Sequence, residues 1–176
     1  PQNTFGSVCK GAGARYLQEA VASATCTRKY LPDSVDLILY AAGVDTRNVS
    51  IFDKIIKPNR VQKKRKRSYY KILSMLELAQ SDYDQILFLD TDAYFKSKAA
   101  LGVFDVLCNF DIAIAQSPVL HGFDERDVPH SFPEYNSGVI AFSVATCSQT
   151  KKILTLFQQW LSAYTDRNFK KLTDQG

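Results

Sequence analysis

Two aspartates separated by one residue follow a short apolar run near the middle of the chain. Asp90 and Asp92 come directly after Ile86–Leu89, which is bounded by polar residues, as in a strand buried on both faces. Carboxylates at a strand end can reach one crevice, and carboxylate and phosphate oxygens are ligands that suit Mg²⁺ and Mn²⁺. The pair therefore predicts a divalent metal that bridges a diphosphate and stabilises charge on a departing phosphate. The alternative is an acidic turn without a ligand.

Two further polar motifs carry chemistry that suits a sugar. Asn136 and Ser137 can hydrogen-bond sugar hydroxyls, and Gly138 lets a ligand approach the backbone, immediately before an apolar run. The alternative for this motif is a turn that enters a strand. The segment 174–176, Asp-Gln-Gly, adds a carboxylate and an amide at the end of the chain, where the alternative is a frayed terminus.

Strand-like runs alternate with helical spacing along the chain. The predicted strands are Phe5–Cys9, Val35–Ala41, a short one within 49–56, Ile86–Leu89, Asp111–Gln116 and Val139–Val144. Helical spacing is present at Leu17–Ala24, Tyr69–Leu76 and Ile153–Tyr164. This alternation predicts an α/β domain with a mostly parallel sheet flanked by helices, in which ligands bind beyond the carboxyl ends of the strands.

The order of these motifs resembles that of the nucleotide-diphospho-sugar glycosyltransferases with the GT-A fold, and among them glycosyltransferase family 8, the glycogenin-like enzymes. In that family a buried strand ends in Asp-x-Asp, Asn-Ser-Gly precedes a strand, and a helix leads to Asp-Gln-Gly, as here. The resemblance extends over most of the chain. It implies metal-dependent transfer of a sugar, with retention of configuration, from a UDP-sugar donor to a hydroxyl of a glycan or protein acceptor.

The resemblance also implies roles for individual residues. Asp90 and Asp92 would ligate Mn²⁺ or Mg²⁺, with Asp90 also near the ribose, and Asp174 and Gln175 would lie at the anomeric carbon. The remaining donor-binding residues that it implies are Tyr16 near the nucleotide base, Lys71 near the phosphates and sugar, and Asn136, Ser137 and Gly138 at the donor sugar.

One part of the family pattern has no counterpart in this sequence. The family's remaining metal ligand is a histidine in a later segment, and this sequence ends before any such segment. His121 and His130 lie elsewhere, in a polar loop, where a histidine more often faces solvent than binds a metal, so the third metal ligand stays open. We therefore expect residues 1–176 to form a single GT-A-like catalytic domain that lacks the usual C-terminal segment.

Other functions stay open on the sequence. Gly11–Arg15 resembles the glycine-rich loop of sugar-1-phosphate nucleotidyltransferases, where backbone N–H groups meet phosphates. Lys63–Arg67 is a run of five cations followed by two tyrosines, which would suit a polyanion or an anionic membrane, although such a run is usually a solvated loop. A carboxylate within 124–127 could serve as the general base of an inverting enzyme.

Composition excludes several classes of protein. A chain of 176 residues that is 45% hydrophobic suits one folded domain and excludes disorder as its main state. The formal net charge of +4 comes from the basic run, so the rest of the chain is close to neutral, which argues against a nucleic-acid coat protein. No apolar run approaches the roughly 18 residues of a membrane span, and the first ten residues lack a signal pattern.

The four cysteines show no metal-binding or redox spacing. Cys9, Cys26, Cys108 and Cys147 have apolar neighbours, and we expect them to be small buried side chains in a reducing compartment. Together with the missing signal pattern, this favours a cytoplasmic location.

Overall fold

The computed structural model describes residues 3–10, 14–58, 67–117 and 135–165. Its strands are β1 (Asn3–Lys10), β2 (Val35–Ala42), β3 (Lys54–Ile56), β4 (Gln85–Leu89), β5 (Ile112–Gln116) and β6 (Tyr135–Ser143). Its helices are α1 (Ala14–Arg28), α2 (Arg67–Leu78), α3 (Gly102–Val106) and α4 (Cys147–Thr165), with a 3₁₀ turn at Lys98–Leu101. Each strand and each long helix expected from the hydrophobic pattern is present in the described residues.

The strands form one sheet in the order β3-β2-β1-β4-β6-β5. The pairs β3–β2, β2–β1 and β1–β4 are parallel, whereas β6 runs antiparallel to both β4 and β5. Only β6 therefore opposes the other described strands, and the prediction of a mostly parallel sheet is confirmed. The carboxyl ends of β1 to β4 share one edge of the sheet, which is where ligands bind in sheets of this kind.

Successive residues of the central strands face opposite layers of helices. Ile38 and Phe88 pack with α2 and α4 in one cluster, whereas Leu37 and Leu87 pack with α1 and α3 in the other. All four side chains are almost fully buried, and burying a side chain of this size contributes about 1.5–3 kcal/mol. The result is a three-layer sandwich of helices, sheet and helices, whose central strands are apolar on both faces.

Strand β6 begins four residues earlier than the sequence predicts, at Tyr135 instead of Val139. The apolar run marks only the part of β6 that is buried against β4, where Val139 pairs with Leu89. The first two residues, Tyr135 and Asn136, pair with β5 alone, opposite Gln116 and Ala115, through main-chain hydrogen bonds that do not require apolar side chains. The Asn-Ser-Gly motif therefore lies inside a strand, and the interpretation as a strand-entry turn is wrong.

The burial predicted for the cysteines is wrong where the structure describes them. Cys108 and Cys147 are exposed and Cys26 is half-buried. Cys108 lies in the turn after α3, and Cys147 is the first residue of α4 between Thr146 and Ser148, so neither position faces the core. The short α3 and the 3₁₀ turn before it were not expected from the sequence. Within the described ranges no helix is long and apolar enough to cross a membrane.

Candidate active site

A cavity of about 180 Å³ lies at the carboxyl edge of the sheet, beside the end of β4. Because β1 and β4 are neighbouring parallel strands, the first turn of α1 lies close to the residues that follow β4. The cavity is lined by Arg15, Tyr16, Glu19, Lys71, Asp90, Thr91 and Asp92. The fold thus brings together four residues proposed from sequence, which are Tyr16, Lys71, Asp90 and Asp92.

Asp90 is held in place by charge and by the backbone. Its N–H donates to the carbonyl of Gly138 at 2.8 Å, and its two carboxylate oxygens lie 3.0 and 3.2 Å from Nζ of Lys71. The same ammonium group donates to Oγ of Ser137 at 3.1 Å. The Lys71 side chain is only 4% exposed, so its charge depends on Asp90 for compensation in place of water. The orientation of the Asp90 carboxylate is therefore set before any ligand arrives.

Asp92 differs from Asp90 in its surroundings. It lies in a turn closed by a hydrogen bond of 3.0 Å from the N–H of Ala93 to the carbonyl of Asp90, and its side chain is exposed. No described residue forms an ion pair with it. An accessible carboxylate beside a fixed one is a donor set that fits a hard divalent cation, which typically binds one or two carboxylates together with phosphate oxygens and waters.

No third metal-binding side chain joins these aspartates in the described part of the chain. His121 and His130 lie outside the described residues, as do Asp174, Gln175, Gly11–Gly13 and Lys63–Lys66. Their proposed roles stay predictions.

Gly138 is required by a close approach between side chains and the backbone of β6. A Cβ at this position would lie 2.8 Å from Oδ2 of Asp90 and 2.9 Å from Oδ1 of Asn136, closer than real Cβ contacts. The Asn136 oxygen already accepts the Gly138 N–H at 2.8 Å. The space beside this glycine is thus taken by the Asp90 and Asn136 side chains, and contact between Gly138 and a donor sugar stays a prediction.

Ser137 and Asn136 are turned toward the protein in different ways. Ser137 is buried, and its hydroxyl accepts the hydrogen bond from Lys71, whereas Asn136 is half-buried and bonds to its own strand. Neither contributes to the described lining of the cavity. Contact between these two side chains and a donor sugar stays a prediction.

The first turns of α1 contribute residues that sequence reasoning missed. Nε of Arg15 lies 2.9 Å from Oε1 of Glu19, and this hydrogen bond raises the pKa of the guanidinium, so Arg15 stays charged. The other oxygen of Glu19 lies 3.4 Å from the hydroxyl of Thr91. The signal was present in the sequence, since Arg15 and Glu19 flank Tyr16 at an i, i+4 spacing on the helix that follows β1. The cavity is therefore lined by positively charged side chains as well as by carboxylates.

The fold is similar to those of several solved transferases, although no family model and no curated protein sequence matches this chain. The galactosyltransferase LgtC, in complex with donor and acceptor sugar analogs, superposes with a TM-score of 0.61 at 14% identity over 98% of this chain and 67% of its own. Mouse xyloside xylosyltransferase 1 gives a TM-score of 0.56 at 15% identity, covering 94% of this chain and 75% of its own.

A nucleotidyltransferase is similar to a comparable degree. The 4-diphosphocytidyl-2C-methyl-D-erythritol synthase of Anaerococcus prevotii gives a TM-score of 0.55 at 15% identity over 98% of this chain and 80% of its own. At such identities these likenesses establish the fold. The chain has the α/β GT-A fold of nucleotide-diphospho-sugar transferases, as its motifs predicted.

Proposed function

We propose that this chain is a metal-dependent glycosyltransferase, a hexosyltransferase that moves a sugar from a UDP-sugar to an acceptor hydroxyl of a glycan or protein. One observation carries the proposal. Asp90 and Asp92 line a single cavity with Lys71 and Tyr16, at the carboxyl edge of a sheet with the GT-A fold. The cavity combines the carboxylates that a metal requires with cations that suit a diphosphate and an aromatic ring that suits a base.

Different residues of the chain would bind the metal ion, the diphosphate and the nucleotide base of the donor. Asp90 and Asp92 would hold Mn²⁺ or Mg²⁺, and the chemistry that such an ion supplies is stabilisation of charge on the departing diphosphate. Lys71 keeps the Asp90 carboxylate oriented and adds positive charge beside the phosphates. Tyr16 would contact the nucleotide base at the N-terminal end of α1.

The stereochemical part of the proposal concerns Asp174 and Gln175. The order of the motifs resembles glycosyltransferase family 8, so we propose that the pair lies at the anomeric carbon and that the donor's α configuration is retained. Proton NMR of fresh transfer product, read before mutarotation, tests this. An α-linked product that is lost in Asp174→Asn with donor binding intact supports the proposal, whereas a β-linked product contradicts it.

A screen of nucleotide sugars tests the activity itself. The chain is incubated with each donor and Mn²⁺, and the released nucleotide is measured with and without EDTA. We expect hydrolysis of at least one UDP-sugar, abolished by EDTA and restored by Mn²⁺. Release of no nucleotide from any donor, with the chain folded by circular dichroism, would contradict the proposal.

A sugar-1-phosphate nucleotidyltransferase is the second candidate. The likeness to the Anaerococcus prevotii synthase favours it, because that chain is matched over 80% of its length. The two functions differ in their leaving group. Release of pyrophosphate from a nucleoside triphosphate and a sugar 1-phosphate, without hydrolysis of any nucleotide sugar, would favour the second candidate.

A further inference from the structure

A row of polar side chains on α1 meets the segment that follows Asp90. Glu19, Ser23 and Thr27 lie at i, i+4 and i+8, so they form one line along the helix with about 6 Å between successive positions. The facing segment is 91–95, which contains Asp92. Glu19 accepts a hydrogen bond from the Thr91 hydroxyl at 3.4 Å.

The other two side chains of the row bind the backbone of this segment. The Ser23 hydroxyl donates to the carbonyl of Ala93, and the N–H of Phe95 donates to Oγ1 of Thr27 at 3.2 Å. Ser23 is 3% exposed and Thr27 is fully buried, so both hydroxyls act from the protein interior. Removing the two hydroxyls would take away two hydrogen bonds that join α1 to the backbone of this segment.

The contacts fall on alternate residues of the segment. Thr91, Ala93 and Phe95 are held by α1 where the chain leaves the turn that is closed between Asp90 and Ala93. The residues between them are directed away from α1, since Asp92 is exposed and lines the cavity and Tyr94 is 50% exposed.

We infer that Ser23 and Thr27 are positioning residues that hold segment 91–95 in the conformation that presents Asp92 to the proposed metal. The inference rests on the proposed function. Tyr16 and Arg15 lie on the first turn of the same helix and line the same cavity. One helix therefore carries Tyr16, which is proposed for the nucleotide base, and holds the segment that contains Asp92, which is proposed for the cation.

The test compares variants that remove or keep these hydroxyls. Ser23→Ala with Thr27→Val removes both hydrogen bonds with little change of shape. Thr27→Ser keeps the hydroxyl that accepts the Phe95 N–H. Thr25→Val is the matched control, because the exposed Thr25 hydroxyl bonds back to the carbonyl of Val21 on its own helix.

Two readouts are required besides activity. Mn²⁺ binding in the presence of UDP is measured by electron paramagnetic resonance of the free ion, and amide hydrogen exchange is followed in peptides that cover 90–96. We expect the double variant to bind Mn²⁺ about 10–100-fold more weakly, the usual scale for groups that orient metal ligands. Exchange within 91–95 should become faster. Thr27→Ser and Thr25→Val should resemble the wild type in both readouts.

The outcomes separate this inference from the proposed function. Unchanged Mn²⁺ affinity in the double variant, with only a lower melting temperature, would overturn the inference, since the row would then serve stability alone. Unchanged exchange within 91–95 would overturn it as well. A wild-type chain that binds no Mn²⁺ with UDP would instead contradict the proposed function.

Discussion

Two carboxylates of the candidate site are treated differently by their neighbours. Asp90 is fixed by Lys71 and by the backbone of Gly138, whereas Asp92 projects into the cavity from an exposed turn. A fixed carboxylate costs no reorganisation when a cation binds, and an exposed one is already accessible to it. Because of this contrast, the effect of replacing each aspartate on activity can be measured separately from its effect on stability.

Replacing Asp92 by asparagine should affect activity alone. The side chain is exposed and contributes little packing, but it is proposed as a direct metal ligand. We expect Asp92→Asn to lower Mn²⁺-dependent UDP-sugar hydrolysis by at least ~100-fold, the scale of losing one preorganised charge contact. The melting temperature should stay unchanged. Asp82→Asn, also exposed, is the control, and a normal rate in Asp92→Asn would refute the metal assignment.

Adding one methyl group at Gly138 should disturb Asp90. A Cβ there would meet the Asp90 and Asn136 side chains at 2.8 and 2.9 Å, so the short carboxylate must rotate away from Lys71. We expect Gly138→Ala to weaken Mn²⁺ binding with UDP by about tenfold or more. Gly102→Ala is the matched control, because nothing lies within 4 Å of a Cβ built at that position. Equal Mn²⁺ affinity in the two variants would contradict this reading of Gly138.

Elements are tied together by a small number of charged contacts, of which the end of α1 offers one example. Arg28, the last residue of α1, donates to the carbonyl of Ile51 at 3.1 Å and to Oδ2 of Asp53 at 2.5 Å. The same carboxylate accepts the N–H of Leu37 in β2 at 2.6 Å. Partial burial acts to raise the pKa of Asp53, but the hydrogen bonds from Leu37 and Arg28 together outweigh it and hold that pKa below its usual range.

This contact should make stability depend on acidity in a predictable direction. The pKa of Asp53 is lower in the folded state than in the unfolded chain, where it is about 3.9. Asp53 therefore contributes to the free energy of unfolding at pH values above the unfolded pKa, and this contribution is lost as the pH falls through the folded pKa. We expect Asp53→Asn to lower the free energy of unfolding by about 1 kcal/mol at pH 7, since the pair is partly exposed. Urea titrations between pH 7 and pH 3 measure the difference.

The difference between wild type and Asp53→Asn should shrink toward pH 3. Asp82→Asn is the control, because the Asp82 side chain is exposed and no described residue forms an ion pair with it. It should leave stability unchanged across the range. A difference for Asp53→Asn that does not vary with pH would show that the carboxylate charge is not what stabilises the contact.

The charge of the whole molecule is concentrated in one run. Lys63–Arg67 carries five positive charges, and replacing all five by glutamine takes the formal net charge from +4 to −1. We expect this variant to keep Mn²⁺-dependent hydrolysis and to lose affinity for heparin or anionic vesicles, with the wild-type binding fading as salt rises. Retention at several salt concentrations measures this. A collapse of hydrolysis would instead place one of these cations at the donor phosphates.

The sequence by itself determined the elements and the place of Asp90 and Asp92. Strands and helices follow from the periodicity of apolar residues, which is a local property, and the strongest of them, β4, is apolar on both faces as its composition indicated. Asp90 and Asp92 follow β4 directly, so the parallel sheet places them at the ligand-binding edge. The α/β class with its mostly parallel sheet and this half of the candidate site were therefore readable from neighbouring residues, whereas the GT-A fold was implied by the resemblance of the motif order to a known family.

Only the tertiary structure decided which side chains meet at that edge. Lys71 contacts Ser137 across 66 positions of sequence, and Ser23 contacts Ala93 across 70, so no local pattern encodes either pair. The early start of β6 has the same origin, because its first residues are in a strand through pairing with β5 and not through burial. Local hydrophobicity reports where the chain is buried, whereas the partners of polar groups are chosen by long-range packing, which satisfies each buried donor and acceptor.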